Sequence, residues 1–136
     1  MILESIATIR TNNFQDKEVI QKIQQLWRDC QKEVAQAFAG GQPIYAVYHD
    51  YVSDFKGDYS LSLCRITDAE GDFDTSQQIY EVFEVNTKDS EGIVHAWQKI
   101  WEAEEAGTLK REYSIDFEKY EANQTVTIFV AVNEND

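Results

Sequence analysis

The segment IQKIQQLW (residues 20–27) recurs further along the chain as VHAWQKIW (residues 94–101). Apolar residues occupy matching positions in the two segments, and Gln24-x-x-Trp27 matches Gln98-x-x-Trp101. In both, the apolar positions follow the 3.6-residue period of an amphipathic helix. The two segments therefore predict two equivalent helices within an internal repeat.

Each predicted helix stands between one strand and one hairpin. In the first half, residues 2–10 predict a strand, Asp16 can cap the helix, and Gly40-Gly41 are expected to end it. Residues 44–51 and 59–66 are rich in β-branched and aromatic residues and are separated by a segment with a glycine, which predicts a hairpin.

The second half has the same order. Residues 78–85 predict a strand, and Ser90 can cap a helix that is expected to end near Gly107. Residues 112–120 and 125–132 predict another hairpin, with Asn123 at its turn. Asn12 in the first half also corresponds to Asn86 in the second.

These repeats predict one α+β domain over residues 1–136. Its two β-α-β-β pseudo-repeats span about residues 1–67 and 78–133, with the acidic stretch 68–74 between them. Either half alone would leave one face of its sheet uncovered. We therefore expect a curved antiparallel sheet with both main helices near a pseudo-twofold axis and a central cleft between them.

The composition limits the partners. The 136 residues include 12 basic and 25 acidic side chains, a net charge of -13, with 43% apolar and 12% aromatic residues. This charge repels phosphate backbones and anionic lipid headgroups and attracts organic cations. We therefore expect neither direct nucleic-acid binding nor membrane binding. Cys30 and Cys64 form no Cys-x-x-Cys pair, so we expect buried free thiols and a cytoplasmic location.

Glu118 lies in the run YSIDFEKY (residues 113–120), downstream of Trp97 and Trp101. A carboxylate among large aromatic rings is typical of a pocket for an organic cation, because the rings exclude water while the charge attracts the ligand. A strand glutamate that points to solvent is the alternative.

Several segments together resemble one known family, the GyrI-like effector-binding domains, and in particular their free-standing, integron-associated type. The resemblance covers nearly the whole chain. It rests on RTNN (10–13), LW (26–27), YAVYHDYxSDxxGDY (45–59), WQxIW (97–101) and DFExY (116–120).

The resemblance implies a duplicated β-α-β-β fold with a drug-binding pocket between the repeats. It also implies that Glu118 faces bound cationic or amphipathic compounds. Trp101, Trp27, Tyr48 and Phe83 are further candidates for the pocket wall. Each of these aromatic residues has a plain structural role as its alternative.

The chain departs from the commonest form of the family, because no span before residue 44 offers two helices with a basic recognition face. A role in transcription would therefore need a regulator protein as partner. We predict no metal and no cofactor, since the histidines and cysteines lack metal-ligand spacing and the acidic strings lack the calcium-loop pattern. The oligomeric state stays open.

Two other functions remain open. Some members of the superfamily resemble hydrolases of electrophilic, DNA-alkylating compounds, and a desolvated Glu118 with Trp101 fits that chemistry. The other is inhibition of an enzyme such as gyrase through an acidic surface, which would require Asp50, Asp54, Asp58, Asp68, Asp72 and Asp74 to share one hairpin edge.

Overall fold

The computed structural model describes residues 1–134 and is an α+β fold. Seven strands form one antiparallel sheet, curled into a half-barrel, which carries three helices. The elements are β1 Ile2–Thr11, α1 Val19–Asp29, α2 Gln31–Ala39, β2 Ile44–His49, β3 Tyr59–Ile66, β4 Phe73–Asp74, β5 Ile79–Glu84, α3 Gly92–Glu105, β6 Asp116–Tyr120 and β7 Val126–Val132.

The sheet order is β4-β1-β3-β2-β6-β7-β5. Leaving β4 aside, the order is symmetric about the contact between β2 and β6, where the two repeats join. Strand pairing lines up Ile9, Leu61 and Tyr48 across the first repeat and Phe83, Ile128 and Glu118 across the second. Tyr48 and Glu118 therefore occupy equivalent positions on the two central strands.

The helices pack on one face of the sheet. Leu26 of α1 and Cys30, which follows α1, join one buried cluster there, and Trp97 and Ile100 of α3 join another. Phe117 belongs to a third cluster, on the opposite face. Side chains alternate along β6, so Asp116, Glu118 and Tyr120 all project toward the helices.

The single helix that the first repeat predicts is in fact two. Cys30, with φ -101° and ψ 7°, separates α1 from α2. Hydrogen bonds still run from the amide of Cys30 to Leu26 and from the amide of Val34 to Cys30. The hydrogen bonds and the apolar period both continue across Cys30, and the sequence has no proline or glycine there. The sequence therefore gives no sign of the break.

Neither residue predicted to cap a helix, Asp16 or Ser90, lies at the N-cap position. α1 begins at Val19, and the Asp16 carboxylate instead accepts hydrogen bonds from the amide of Glu18, the hydroxyl of Thr11 and the ammonium of Lys22. α3 begins after Glu91 rather than Ser90 and has no side-chain cap.

The structure has one strand that was not predicted, and one predicted strand begins later than expected. The acidic stretch 68–74 contains β4, which pairs with β1 and packs Phe73 onto the far face of the sheet. The strand predicted at 112–120 begins only at Asp116, because Tyr113 has φ 58° and the chain turns there.

Cys30 and Cys64 are buried free thiols. Burial, the largest cause, raises the pKa of Cys64 to about 12 and also raises the pKa of Cys30. Both thiols are therefore protonated at neutral pH. No helix within residues 1–134 is long and apolar enough to cross a membrane.

Gly92 fixes the start of α3, and we expect its replacement by alanine to destabilise the fold. An added Cβ would lie 2.2 Å from the backbone oxygen of Asn86, so the loop or the helix must shift. We expect Gly92→Ala to lower the free energy of unfolding by about 1–3 kcal/mol in urea denaturation.

Gly40→Ala is the matched control, because the nearest atom to its added Cβ is 3.6 Å away. Its φ of -88° suits alanine, so we expect no loss of stability. Equal stabilities of the two variants would contradict the steric argument.

Candidate functional site

A cavity of about 810 Å³ lies between α1, α3 and the central strands. All three tryptophans of the chain, Trp27, Trp97 and Trp101, line it. Four tyrosines and Phe55 add further rings to the wall; the tyrosines are Tyr48, Tyr51, Tyr59 and Tyr120. The size and the aromatic lining suit an organic molecule rather than a single ion.

Glu118 supplies a carboxylate to this aromatic wall and is only 3% exposed. The hydroxyl of Tyr48 and the indole N–H of Trp97 donate hydrogen bonds to its Oε2, at 2.8 and 2.7 Å. The hydroxyl of Tyr120 donates to Oε1 at 2.6 Å. Three neutral donors from three different elements therefore hold the carboxylate in one orientation.

Burial raises the pKa of Glu118, and the hydrogen bonds from Tyr120, Trp97 and Tyr48 oppose that rise. Burial, followed by the charge of Glu118, raises the pKa values of Tyr48 and Tyr120 well above the ordinary range. Both hydroxyls therefore keep their protons and act as donors. The carboxylate therefore changes its charge at a higher pH than an ordinary glutamate does.

Asp116, two residues earlier on the same face of β6, has a different environment. It is fully buried, and its Oδ2 forms an ion pair with Arg111 at 2.7 Å. Tyr51 donates a hydrogen bond to the same oxygen, and the amide of Ala131 donates to Oδ1. Arg111 therefore neutralises Asp116 within the protein.

Glu118 has no such partner among the residues that the structure describes. Within residues 1–134, no Lys, Arg or His side chain forms an ion pair with it. Arg111 lies on the face of the Trp97 indole, 5.6 Å from the ring centroid, and its charge is committed to Asp116 and Glu104. The cavity therefore holds one buried carboxylate without a counter-ion.

The sequence accounts for this arrangement through strand register. Tyr48 pairs with Asp116, and Ala46 pairs with Glu118, so the small side chain of Ala46 lies beside the carboxylate. Tyr48 reaches Glu118 diagonally across the two central strands, a separation that a tyrosine side chain spans. A shift of one residue would turn Glu118 to the opposite face.

The five candidate residues from the sequence lie in different places. Glu118, Trp101, Trp27 and Tyr48 line the cavity, and the ring of Trp27 packs edge-on against Tyr120 at 4.8 Å. Phe83 is not among the lining residues. It packs on the cluster beneath α3, because β5 is an outer strand that this helix covers.

Sequence reasoning left out several lining residues, above all Trp97, which donates directly to Glu118. The repeat aligns Trp97 with Ile23, and both side chains line the cavity. That alignment could have identified it as a central residue. Arg111 gave no comparable signal, since its role depends on a turn that the strand pattern does not reveal.

Apolar side chains surround the entrance. Ile20 is 67% exposed and Val94 is 52% exposed, yet both line the cavity. They are equivalent positions in the first turns of α1 and α3. A ligand with apolar surface would cover them and remove that surface from water.

The acidic residues considered for an inhibitory surface do not share one edge. Asp50, Asp54 and Asp58 lie in the loop before β3, whereas residues 68–74 follow the other end of that strand. β3 has eight residues and spans about 26 Å, so the two acidic groups lie at opposite ends of that strand.

Within residues 1–134 there is no group of three or more His, Cys, Asp or Glu side chains that could hold a metal ion.

Two solved structures have this fold. The first is an integron cassette protein, VCH_CASS2, from the mobile metagenome of Vibrio cholerae, with a TM-score of 0.73 and 23% sequence identity over 97% of this chain and 90% of that one. The second is SAV2435 bound to tetraphenylphosphonium, with a TM-score of 0.59 and 14% identity over 97% and 93% of the two chains. At such identities the similarity establishes the fold alone.

No family model and no curated protein matches the chain. The similarity to GyrI-like domains therefore rests on the sequence motifs.

We expect the stability of the protein to record the raised pKa of Glu118. Between the unfolded value near 4.5 and the higher native value, the folded state binds more protons than the unfolded state. The contribution of Glu118 to stability therefore falls as pH rises through this window, by up to about 1.4 kcal/mol per pH unit, and is constant above it.

Glu118→Gln isolates this contribution. An amide oxygen can accept from Tyr48 and Trp97, and its NH₂ group can donate to the hydroxyl of Tyr120. We expect the stability of the variant relative to wild type, measured by urea denaturation, to increase as pH rises from about 4.5 through the raised native pKa of Glu118. Every other titratable group is present in both proteins, so its contribution cancels in this difference. A difference that is constant over the range would contradict the assignment.

Proposed function

We propose that the protein is a GyrI-like effector-binding domain that binds cationic or amphipathic organic molecules in its aromatic cavity. Glu118 is the counter-ion of the ligand. The observation that carries this proposal is a buried carboxylate that is hydrogen-bonded only to neutral donors, while Asp116 on the same strand face has its own arginine.

The energetics favour a cation. A buried charge without a partner is costly, and an opposite charge nearby offsets that cost more effectively in an apolar site than in water. The surrounding π faces also attract positive charge. The net charge of -13 adds a long-range electrostatic field that also attracts cations.

A ligand with apolar groups around its charge fits the lining better than a small hydrated cation. The rings of Trp27, Tyr59 and Trp101 offer stacking surface, and Ile20 and Val94 add apolar surface at the entrance. The tetraphenylphosphonium bound to SAV2435, a protein of similar fold, has this chemistry.

Binding of tetraphenylphosphonium to wild type and Glu118→Gln tests the proposal. All three tryptophans line the cavity, so their fluorescence reports occupancy directly. We expect saturable quenching in wild type and at least an about 10-fold weaker dissociation constant in the variant, since removing one charged partner from a desolvated pair costs roughly 1.5–3 kcal/mol.

Two controls separate local charge from shape and from net charge. Tetraphenylborate has the same shape and the opposite charge, and we expect it to bind wild type far more weakly. Glu70→Gln removes one exposed negative charge outside the cavity, and we expect less than an about two-fold change. Equal affinity of wild type and Glu118→Gln for tetraphenylphosphonium would overturn the proposal.

The same titration has a distinct pH dependence. A bound cation stabilises the ionised form of Glu118, so we expect affinity for tetraphenylphosphonium to rise as pH increases through the raised native pKa. Glu118→Gln lacks this group, so its affinity should stay constant over the same range. A parallel pH dependence in both proteins would assign the effect to another residue.

Hydrolysis of an electrophilic ligand is the second candidate, and the raised pKa of Glu118 favours it. A desolvated carboxyl group with a raised pKa can act as a general acid or base. Mass spectrometry of an electrophilic ligand after incubation tests this activity. Addition of water by wild type but not by Glu118→Gln would support it, and recovery of unchanged ligand would support binding alone.

A role in drug sensing or transcription would require a DNA-binding unit other than the three helices of this domain. Within residues 1–134, α1, α2 and α3 all pack on the sheet of this domain, and none is left for a helix-turn-helix unit. Ligand-dependent association with a regulator in size-exclusion chromatography would support such a role.

A further inference from the structure

A second cavity, of about 480 Å³, lies outside the one that contains Glu118. We call it the outer groove. Trp101 and Phe55 line both cavities, so their side chains form the partition between them. Neither Glu118 nor any of its three donors, Tyr48, Trp97 and Tyr120, lines the outer groove.

The partition is a pair of stacked aromatic rings. The rings of Phe55 and Trp101 are nearly parallel, at 11°, with centroids 5.2 Å apart. Phe14 packs against both, at 5.9 Å from Phe55 and 5.5 Å from Trp101. The three rings come from the loop after β1, the loop after β2 and α3, so both repeats build this aromatic cluster.

Phe14 is held in place although its ring is open to solvent. Its side chain is 56% exposed. Its amide donates to the side-chain oxygen of Asn12, whose NH₂ group donates to Lys56 and Asp58 of the facing loop. A large ring held at the surface by a buried asparagine offers apolar area that the fold itself does not cover.

The charges along the groove favour a cation. Gln98, Trp101, Glu102 and Glu105 lie along one side of α3 and form one wall. Both glutamates are exposed, and within residues 1–134 neither forms an ion pair. Lys56 is the single basic residue in the lining, and its ammonium lies 5.5 Å from the centroid of the Phe55 ring.

We propose that the outer groove is a second ligand site, specific for a planar aromatic cation. The ring system packs against Phe14 and the partition, and its positive charge lies near Glu102 and Glu105. The pair formed by Lys56 and Phe55 shows that a cation already lies against this aromatic wall. The site is independent of Glu118 and therefore of the function proposed for the central cavity.

Ethidium, a planar fluorescent monocation, is a suitable probe. We would titrate it in the Glu118→Gln background, so that the central carboxylate contributes nothing. We expect saturable binding that Phe14→Ala weakens by about 3- to 10-fold, the usual range for loss of one aromatic contact with a cation. A Glu102→Gln/Glu105→Gln double variant should bind more weakly and with a smaller dependence on salt.

Matched controls lie outside the groove. Val52 is 68% exposed and Glu70 is exposed, and we expect Val52→Ala and Glu70→Gln to bind ethidium as the background protein does. Phe14 is a surface residue, so we expect its variant to fold, which circular dichroism checks.

Either of two results would overturn the proposal. One is the absence of saturable ethidium binding in the Glu118→Gln background. The other is binding that neither Phe14→Ala nor the double glutamine variant changes. Neither result depends on whether tetraphenylphosphonium binds the central cavity, so failure here is distinct from failure of the proposed function.

Discussion

The antiparallel pairing of β2 with β6 is the constraint on which the rest of the structure depends. It joins the two repeats into one sheet, and it is the axis about which the strand order is symmetric. It also brings Tyr48 of one repeat to Glu118 of the other. The cavity lies over this seam because each helix covers its own repeat and leaves the junction between them open.

Two buried carboxylates on one strand face show how the fold distributes charge. Removing one partner from a buried ion pair typically costs about 3–5 kcal/mol, so Asp116 and Arg111 depend on each other. That pair also links β6 to Tyr51 and Tyr113 in the surrounding loops. Among residues 1–134, the groups that hydrogen-bond to Glu118 are neutral dipoles, which stabilise a carboxylate incompletely in an apolar environment. The same strand therefore carries a buried ion pair at Asp116 and, at Glu118, a carboxylate without an ion-pair partner among the described residues.

The architecture was predictable because the repeat supplied the same evidence twice. Two helices of matching apolar pattern, each with its strand and hairpin, lead to the α+β fold with a curved antiparallel sheet. The break at Cys30 was not predictable, since the apolar period and the hydrogen bonds both run through it. β4 was hidden in an acidic stretch whose only strong strand former is Phe73.

The site was harder to predict than the fold. Glu118 was visible because a charged residue stands among aromatic ones, and its burial follows from the register of β6. Which aromatic residues surround it depends on tertiary placement: Trp97 reaches the carboxylate through the packing of α3, whereas Phe83, in the same sheet row as Glu118, lies beneath that helix. The outer groove arises from three separate segments, so no local pattern could reveal it.

The departures from symmetry explain why the centre of the cavity has one buried carboxylate without an ion-pair partner among residues 1–134. Tyr48 and Glu118 are equivalent positions, and the seam places them within hydrogen-bond distance. Glutamate at both would set two carboxylates against each other, and one would stay protonated. Tyrosine at both would leave no charge to attract a cation. With one tyrosine and one glutamate, the hydroxyl of Tyr48 orients the carboxylate of Glu118. This combination keeps a negative charge in a fixed position for a cationic ligand.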